Sequence, residues 1–153
     1  MVKNIFLLLV LLFTSNAVKA VNVYFSSSMG VADKIIYLSS TMGVADRVIY
    51  FSSTIGVADT VFYVNNSCNS ADIRVIDSIY NSDVKIYLSS TMGVADEIIY
   101  LSSTMGVADE IIYLSNFKSS ADYTICIPNY TYMEKEEVEE KVASIFASLF
   151  RKR

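Results

Sequence analysis

The sequence predicts an all-β fold: a short β-solenoid with one 13-residue repeat per coil, followed by a C-terminal amphipathic α-helix. Three observations support this prediction. Most of the chain repeats with a period of thirteen residues, which is the signature of a repeat architecture. Each repeat opens on β-branched and aromatic residues, which favour strands. After Pro128 the pattern changes to apolar residues at helical spacing.

Residues 1–20 have the features of a signal peptide. A short basic start precedes the apolar run Ile5–Phe13, and Val18-Lys19-Ala20 provides small residues where a signal peptidase cleaves. The alternative is a membrane anchor, but the apolar run is about half of the ~20 residues that a spanning helix needs. We therefore expect cleavage after Ala20 and a secreted protein (extracellular, cell-surface or periplasmic) whose mature form does not span a membrane.

The mature chain is acidic and contains no histidine. Lys3 and Lys19 are two of the 12 basic residues, so the chain from Val21 onward carries 10 basic and 16 acidic residues, a net charge of −6. A nucleic-acid ligand requires a basic footprint, and the absence of His removes the commonest general base and metal ligand. Nucleic-acid binding and hydrolysis by a Ser-His-Asp triad are therefore excluded, and we expect no enzyme activity and no cofactor.

Eight repeats run from Val23 to Thr124. The repeat Val75–Lys85 has eleven residues and the other seven have thirteen, and the stretch Ile86–Ile98 recurs unchanged as Ile99–Ile111. This periodicity divides the chain into a signal peptide (1–20), a repeat domain (21–128) and a helical segment (129–153). Position one of the successive repeats is Val23, Ile36, Ile49, Phe62, Val75, Ile86, Ile99 and Ile112.

The first positions of each repeat predict a strand. Position one is always Val, Ile or Phe, and position two is Tyr in seven of the eight repeats. A helix is disfavoured because a Ser/Thr cluster and a Gly recur in most repeats. In a solenoid coil, the sequence Thr-Met-Gly-Val would form a second extended piece and Ala-Asp a corner.

The alternative fold is an antiparallel β-meander, possibly closed as an eight-stranded barrel. The solenoid is favoured because identical repeats can stack in register, so that each residue lies over its own copy. Two cysteines distinguish the folds. Cys68 and Cys126 are five repeats apart, which is ~24 Å in a straight stack, whereas a disulfide requires Cα atoms within ~7 Å. The solenoid therefore predicts that these cysteines do not bond within one chain.

The segment after Pro128 predicts an amphipathic helix. Thr131 and Glu134 match a capping box, and acidic residues in the first turns with Arg151-Lys152-Arg153 at the end complement the helix dipole. We expect the helix to fold back as a cap on the open end of the stack, with a helix–helix dimer seam or a membrane-surface helix as alternatives. The apolar stripe consists of Val138, Val142, Ile145 and Leu149.

Two sets of side chains are candidate functional residues. The tyrosines at position two would stack as an aromatic strip, a candidate interaction ladder for sugars or another sheet. The aspartates that close the repeats would form a structural ladder of turn caps; calcium binding is the alternative, because neighbouring carboxylates repel by roughly 1 kcal/mol. The tyrosines are Tyr24, Tyr37, Tyr50, Tyr63, Tyr87, Tyr100 and Tyr113, and the aspartates are Asp33, Asp46, Asp59, Asp72, Asp83, Asp96, Asp109 and Asp122.

The less regular repeats carry a resemblance to a known family. The stretches Ala71-Asp72-Ile73-Arg74-Val75 and Ser82-Asp83-Val84-Lys85-Ile86-Tyr87 resemble the Ala-Asp-Leu-Lys-Val-Tyr unit of an uncharacterised family of small bacterial repeat proteins. The resemblance covers the repeat domain, and the chain departs from it where Gly-Val-Ala-Asp-Glu replaces the usual polar turn. Because the family has no known activity, the resemblance implies no function.

The sequence thus predicts an exported, non-enzymatic repeat protein that acts as a structural, adhesive or surface-interaction module. Its partner would be a protein or polysaccharide surface, or copies of itself. One alternative is a self-assembling β-fibre subunit, because β-rich repeats without proline can stack between chains as they do within one. The other is a calcium-stabilised or carbohydrate-binding solenoid.

Overall fold

Nine strands and one α-helix make up the computed structural model, which describes residues 19–152. The all-β class with a C-terminal helix is confirmed, while most of the predicted signal peptide lies outside the described residues. The helix, α1, covers Lys135–Leu149. The strands are β1 (Val21–Phe25), β2 (Lys34–Ser39), β3 (Arg47–Phe51), β4 (Thr60–Asn65), β5 (Ile73–Ile76), β6 (Val84–Ser89), β7 (Glu97–Ser102), β8 (Glu110–Ser115) and β9 (Tyr123–Cys126).

The strands are all parallel and form a closed barrel. Their order around the barrel is β1-β5-β9-β4-β8-β3-β7-β2-β6, and β6 pairs with β1 to close it. Each strand pairs with strands four or five places away in the chain; β2, for example, pairs with β6 and β7. Consecutive strands are therefore two places apart, with a third strand between them.

The prediction of one repeat per coil is wrong. In such a solenoid β2 would pair with β1 and β3, but its partners are β6 and β7. The chain does wind in one direction, as in a solenoid, but with between four and five repeats per turn. The antiparallel meander is wrong as well, and the barrel has nine strands rather than eight. The physical reason is the connection between strands, which is long enough to cross one intervening strand, a span of ~10 Å.

The register fixes the width of the barrel. Val23 pairs with Val84 on one side and with Val75 on the other, and following the pairs once around the barrel accumulates a stagger of about 16 residues. With nine strands, this stagger corresponds to a strand tilt of about 50° and a backbone radius of about 11 Å. A cylinder of this radius leaves room, inside its inward side chains, for one helix with a diameter of ~10 Å.

Strand alternation separates an inner and an outer face. Positions twelve, one and three of the repeat point into the barrel, and positions thirteen, two and four point outward, as expected for a period of two. The position-one residues form a buried ring halfway along the lumen. This ring consists of Val23, Ile36, Ile49, Phe62, Val75, Ile86, Ile99, Ile112 and Ile125, all of them fully buried except Val75.

The helix α1 lies inside the barrel. Its six consecutive residues from Val142 to Ala147 are all buried, whereas a helix on a surface buries one stripe. Phe146 and Phe150 pack against Phe62 of β4, with ring centroids 6.3 Å away in both cases. On the other side of the helix, Lys141 Nζ lies 4.4 Å from the centroid of the Phe25 ring in β1. The helix thus covers the apolar interior from within, and not as a cap on the end of a stack.

Two local predictions are also corrected. The capping box is wrong: Thr131 belongs to the 3₁₀ turn Tyr130–Tyr132, Glu134 is the N-cap of α1, and no side chain caps the helix. The Met-Gly-Val segments are not extended but form 3₁₀ turns, such as Met42–Val44. In Met42–Val44 and in Tyr130–Tyr132, the residue that follows the turn donates its backbone N–H to the carbonyl of the first residue of the turn.

The two cysteines form a disulfide, contrary to the prediction. The Cα atoms of Cys68 and Cys126 are 5.1 Å apart. The two cysteines are 58 residues apart in the chain. They are close in space because β9, which carries Cys126, lies between β4 and β5. The loop that joins β4 to β5 crosses β9 and carries Cys68. The predicted distance was wrong because it assumed a straight stack.

Candidate interaction surface and buried polar ring

The seven tyrosines of the predicted ladder lie on the outer face of the barrel but do not stack on one another. Tyr37 lies between Ser89 of β6 and Ile98 of β7, and Tyr100 lies between Ser39 and Val48. All seven are partly buried. The stacked strip is therefore wrong as a geometry, because the partners of a strand are offset by two residues rather than in register. A role of these tyrosines in binding stays a prediction.

Each of the eight predicted aspartates makes a two-point contact with a neighbouring strand. The backbone N–H of Asp46 donates to the carbonyl of Ile98 at 2.8 Å, and Asp46 Oδ2 accepts the backbone N–H of the same residue at 2.8 Å. The other seven contacts follow this pattern. They join Asp33 to Lys85, Asp59 to Ile111, Asp72 to Thr124, Asp83 to Asn22, Asp96 to Ile35, Asp109 to Val48 and Asp122 to Val61.

These aspartates fasten the start of each strand to its neighbour. Their carboxylates accept N–H groups of another strand, not of their own turn as an Asx cap would. Of the nine described strands, β1 alone lacks this contact, because Ala20 stands at its position eleven. Among residues 19–152, no group of three or more acidic, Cys or His side chains is close enough to hold a metal ion.

Position twelve places a charged ring segment in the lumen. Five of these inward residues come from adjacent strands in the order β2, β7, β3, β8 and β4. Lys34 Nζ lies 3.3 Å from Glu97 Oε2, and Arg47 Nε lies 2.8 Å from Glu97 Oε1. On the next pair of strands, the Thr60 hydroxyl donates to Glu110 Oε1 at 3.1 Å. The charges therefore alternate around about half of the lumen.

Arg47 links this ring segment to the helix. Its Nη1 donates to the carbonyl of Phe150 at 3.0 Å, and its guanidinium lies 5.5 Å from the centroid of the Phe146 ring. Arg47, Glu97 and Glu110 are 4%, 7% and 3% exposed. A buried charge is tolerated when it is paired and hydrogen-bonded, and a cation at a helix C-terminus also complements the helix dipole. The ring segment therefore holds the end of α1.

Sequence reasoning missed this cluster. Lys34, Arg47, Glu97 and Glu110 are visible as charges beside the repeated aspartates, but they belong to four different repeats. Their only sequence signal is that all occupy position twelve. Bringing them together requires the pairing of strands four and five places apart, which the repeat pattern does not reveal.

Within residues 19–152, a surface cavity lies beside α1 near each end of the helix. A cavity of about 400 Å³ near its C-terminus is lined by Lys34, Arg47 and the segment from Ala147 to Lys152. Three of its cations have anionic partners: Lys34 and Arg47 contact Glu97, and Lys152 Nζ lies 3.7 Å from Asp109 Oδ2. A second cavity, of about 440 Å³, lies near the first turns of α1 and includes Glu139.

Packing inside the barrel shifts the pKa values of Tyr123 and Glu139. Burial raises the pKa of Tyr123 to about 12, and the carboxylates of Asp122 and Asp72 add to the shift because they disfavour a phenolate. Burial also raises the pKa of Glu139, against the opposing effect of Lys135. Both shifts have a structural cause, the packing of the lumen.

The connections between strands place apolar side chains on the outside of the barrel. Each connection crosses the outer face of the strand between its two ends; Met29–Val31, for example, lies against β6 and Met42–Val44 against β7. In five connections the 3₁₀ turn has the sequence Met-Gly-Val or Ile-Gly-Val. The Met, Ile and Val side chains of these turns are 42–46% exposed, which is high for residues of this type.

These five turns lie next to one another around the barrel, and we call them the apolar arc. Going around the barrel, they cross β8, β3, β7, β2 and β6, which are neighbouring strands. In the chain they fall into two separate blocks, one before and one after the short repeat. In spatial order, the apolar arc consists of Ile55–Val57, Met105–Val107, Met42–Val44, Met92–Val94 and Met29–Val31.

The remaining side of the barrel is different in character. The strands β1, β9 and β4 are crossed by the turn Ile79–Asn81, the Cys68 loop and the turn Lys118–Ser120. The exposed side chains of these connections are polar apart from the aromatic residues Tyr80 and Phe117. The barrel wall therefore has one apolar side and one mixed polar side.

Comparisons with protein-family models, with curated proteins and with solved structures give no match to this chain. Among residues 19–152, no helix is both long enough and apolar enough to cross a membrane.

Proposed function

We propose that the mature chain is an exported, non-enzymatic module that acts by binding a surface through the apolar arc. The observation that carries this proposal is the contiguity of five turns with the same exposed apolar sequence. Large contiguous apolar patches on soluble proteins mark interaction sites, whereas single exposed apolar residues need no explanation. The partner is a protein or polysaccharide surface, or another copy of the chain.

The chemistry of the described residues supports binding rather than catalysis. The buried acids and bases of the lumen are paired with each other and with the end of α1, and the aspartates are bound to backbone N–H groups. The net charge of −6 from Val21 onward disfavours nucleic acid as a partner. Export rests on residues 1–20, and the family resemblance of the repeats adds no activity to the proposal.

The fibre alternative receives less support from this fold. It rested on β-rich repeats that stack between chains as they do within one, which requires open strand edges. In the closed barrel each of the nine described strands pairs on both sides, and barrel closure removes strand edges. A calcium-stabilised or carbohydrate-binding protein remains the other alternative. Exposed aromatic residues outside the apolar arc, above all Tyr80 and Phe117, make carbohydrate the more specific of the two.

The proposal is tested by adhesion of the mature protein, residues 21–153, immobilised on beads and applied to cell envelopes of the source organism. The arc variant carries Met42→Glu, Met92→Glu and Met105→Glu. We expect it to lose most of the adhesion, because charged side chains disfavour burial of the arc against a partner. These residues are about half exposed, so the fold should tolerate the changes.

A matched variant, Tyr80→Glu with Phe117→Glu, changes exposed residues on the other side of the barrel and should adhere like the unmodified protein. If the arc variant and the unmodified protein adhere equally well, the arc is not the binding surface and the proposal is contradicted. Loss of adhesion in the matched variant alone would favour carbohydrate binding through the exposed aromatic residues.

A further inference from the structure

The central residue of every turn in the apolar arc is a glycine that the fold itself does not require. None of the five glycines has a positive φ. A Cβ atom added to Gly43, Gly56, Gly93 or Gly106 would meet no atom within 4 Å, and one added to Gly30 would meet only the Ser28 hydroxyl oxygen at 4.0 Å. Neither backbone conformation nor crowding within the chain therefore explains them.

Two other turns of the same barrel serve as an internal comparison. In Ile79–Asn81 and Lys118–Ser120 the central residue is Tyr80 or Ser119, and both segments form three-residue 3₁₀ turns like those of the arc. Glycine also costs conformational entropy on folding. A glycine that is unfavourable, unnecessary and confined to the apolar arc is explained by close approach of another molecule to the backbone, which is a general use of glycine.

Each glycine leaves a gap, here called a glycine notch, between two exposed apolar side chains of the arc. In each turn an exposed Met or Ile and an exposed Val stand on either side of a residue without a side chain. In the three central turns, which cross β3, β7 and β2, the six Met and Val side chains are 43–46% exposed. Side chains of this size and exposure offer on the order of 500 Å² of apolar surface, so pairing two copies would bury about 1,000 Å², the lower bound for a specific protein–protein interface.

The charges beside the arc favour a protein over a lipid surface. Each turn of the arc is followed by Ala-Asp, and Asp33, Asp46 and Asp96 are exposed. The connecting segments of the arc contain no Lys or Arg, whereas binding to anionic membrane surfaces relies on basic residues. Lys152 contacts one aspartate of the border, Asp109, and the other aspartates of the border would be repelled by such a surface.

The arc is complementary to itself when it is inverted. The aspartates lie at the rim of the barrel where strands start, and exposed Ser and Thr precede the turns at the rim where strands end. A two-fold axis perpendicular to the barrel axis places the aspartates of one copy opposite the hydroxyl groups of the other, where carboxylates can accept hydrogen bonds. The hydroxyl residues nearest the centre are Ser40, Thr41, Ser90, Thr91, Ser103 and Thr104.

We propose that the apolar arc is the interface of an antiparallel, two-fold symmetric homodimer, in which Met and Val of one copy fill the glycine notches of the other. This inference deepens the proposed function by naming its partner, and it rests on the same surface. A two-fold pair uses the same patch on both copies. The Met and Val side chains of one copy therefore meet the equally spaced glycines of the other, and no second type of surface is needed. The modest area makes the dimer reversible.

The test is analytical ultracentrifugation of the mature protein and of Gly43→Tyr. The unmodified protein should show a concentration-dependent equilibrium between monomer and dimer. Gly43 lies at the centre of the arc, and Tyr80 at the equivalent position of another turn shows that the fold accommodates the side chain. Gly43→Tyr should weaken association at least about tenfold, with an unchanged far-ultraviolet circular dichroism spectrum and melting temperature. Met92→Lys, a second arc variant, should do the same.

Ser119→Tyr is the matched control, because it introduces the same side chain at the same position of a turn outside the arc. It should leave the dimerisation constant unchanged. A monomer at all accessible concentrations, or equal weakening by Ser119→Tyr, would overturn the homodimer. The adhesion experiment separates this failure from failure of the proposed function, because a monomer that adheres through the arc retains the function with a different partner.

Discussion

Asp46 illustrates how one side chain determines where a strand begins. Its backbone N–H and its carboxylate both bind Ile98 of the neighbouring strand, so the main-chain groups of Ile98 are satisfied before the regular ladder starts. The sequence does predict that the repeated aspartates are structural. It does not reveal the partner, because Ile98 is 52 residues away and the local pattern suggests a cap of the aspartate's own turn.

Replacing this aspartate tests the contact. Asp46→Ala should lower the free energy of unfolding by about 1–2 kcal/mol, because the variant leaves the Ile98 N–H without its charged acceptor. Asp46→Asn should cost less, since an amide oxygen can still accept the bond. Urea denaturation measures both. Asp77→Ala is the control, because Asp77 is exposed and lies outside the eight contacts; an equal loss in this variant would contradict the explanation.

At the scale of the element, α1 shows what amphipathicity alone cannot tell. Its apolar stripe, acidic beginning and approximate bounds could be predicted from the sequence, since helical spacing is a local property. Its location could not. The same stripe suits a cap, a dimer seam or an insertion, and only the radius of the closed barrel favours the last. Small residues on the face opposite the stripe, Ala143, Ser144 and Ala147, are buried as well and were the available signal.

The insertion makes α1 part of the main core. Phe146→Ala should lower the free energy of unfolding by about 3–5 kcal/mol, the usual cost of removing a buried aromatic ring, because Phe146 is 1% exposed and packs against Phe62 and Phe150. Urea denaturation again provides the measurement. Tyr132→Ala, in the exposed turn before the helix, should cost little. A cost below about 1 kcal/mol for Phe146→Ala would show that the helix does not fill the lumen.

The whole molecule depends on contacts between distant parts of the chain. Every strand pair joins residues about fifty or sixty positions apart. The period, the strands and the helix could be predicted from the sequence because each is encoded locally. The pairing could not, because a 13-residue repeat with strand, turn and corner suits both one repeat per coil and an interleaved barrel. Knowledge that Cys68 pairs with Cys126 would have decided between these two folds, because this disulfide excludes the straight stack.

This topology predicts all-or-none unfolding. In a linear solenoid, each repeat contacts only its neighbours and end repeats can unfold alone. In the interleaved barrel, Ile36→Val in β2 and Ile112→Val in β8 should each lower the stability of one shared transition by about 1 kcal/mol. Circular dichroism and tyrosine fluorescence should report coincident urea transitions for the mature protein and both variants. Two separate transitions, one sensitive to each substitution, would contradict the closed barrel.

The closure of the barrel also determines how many repeats the protein can have. A linear stack accepts one more unit by growing longer, whereas an added or deleted unit here changes the number of strands in the ring, and with it the circumference. The helix inside has a fixed diameter, so a wider ring would leave a gap around it and a narrower one would exclude it. The number of repeats is therefore limited by how well the helix packs inside the barrel.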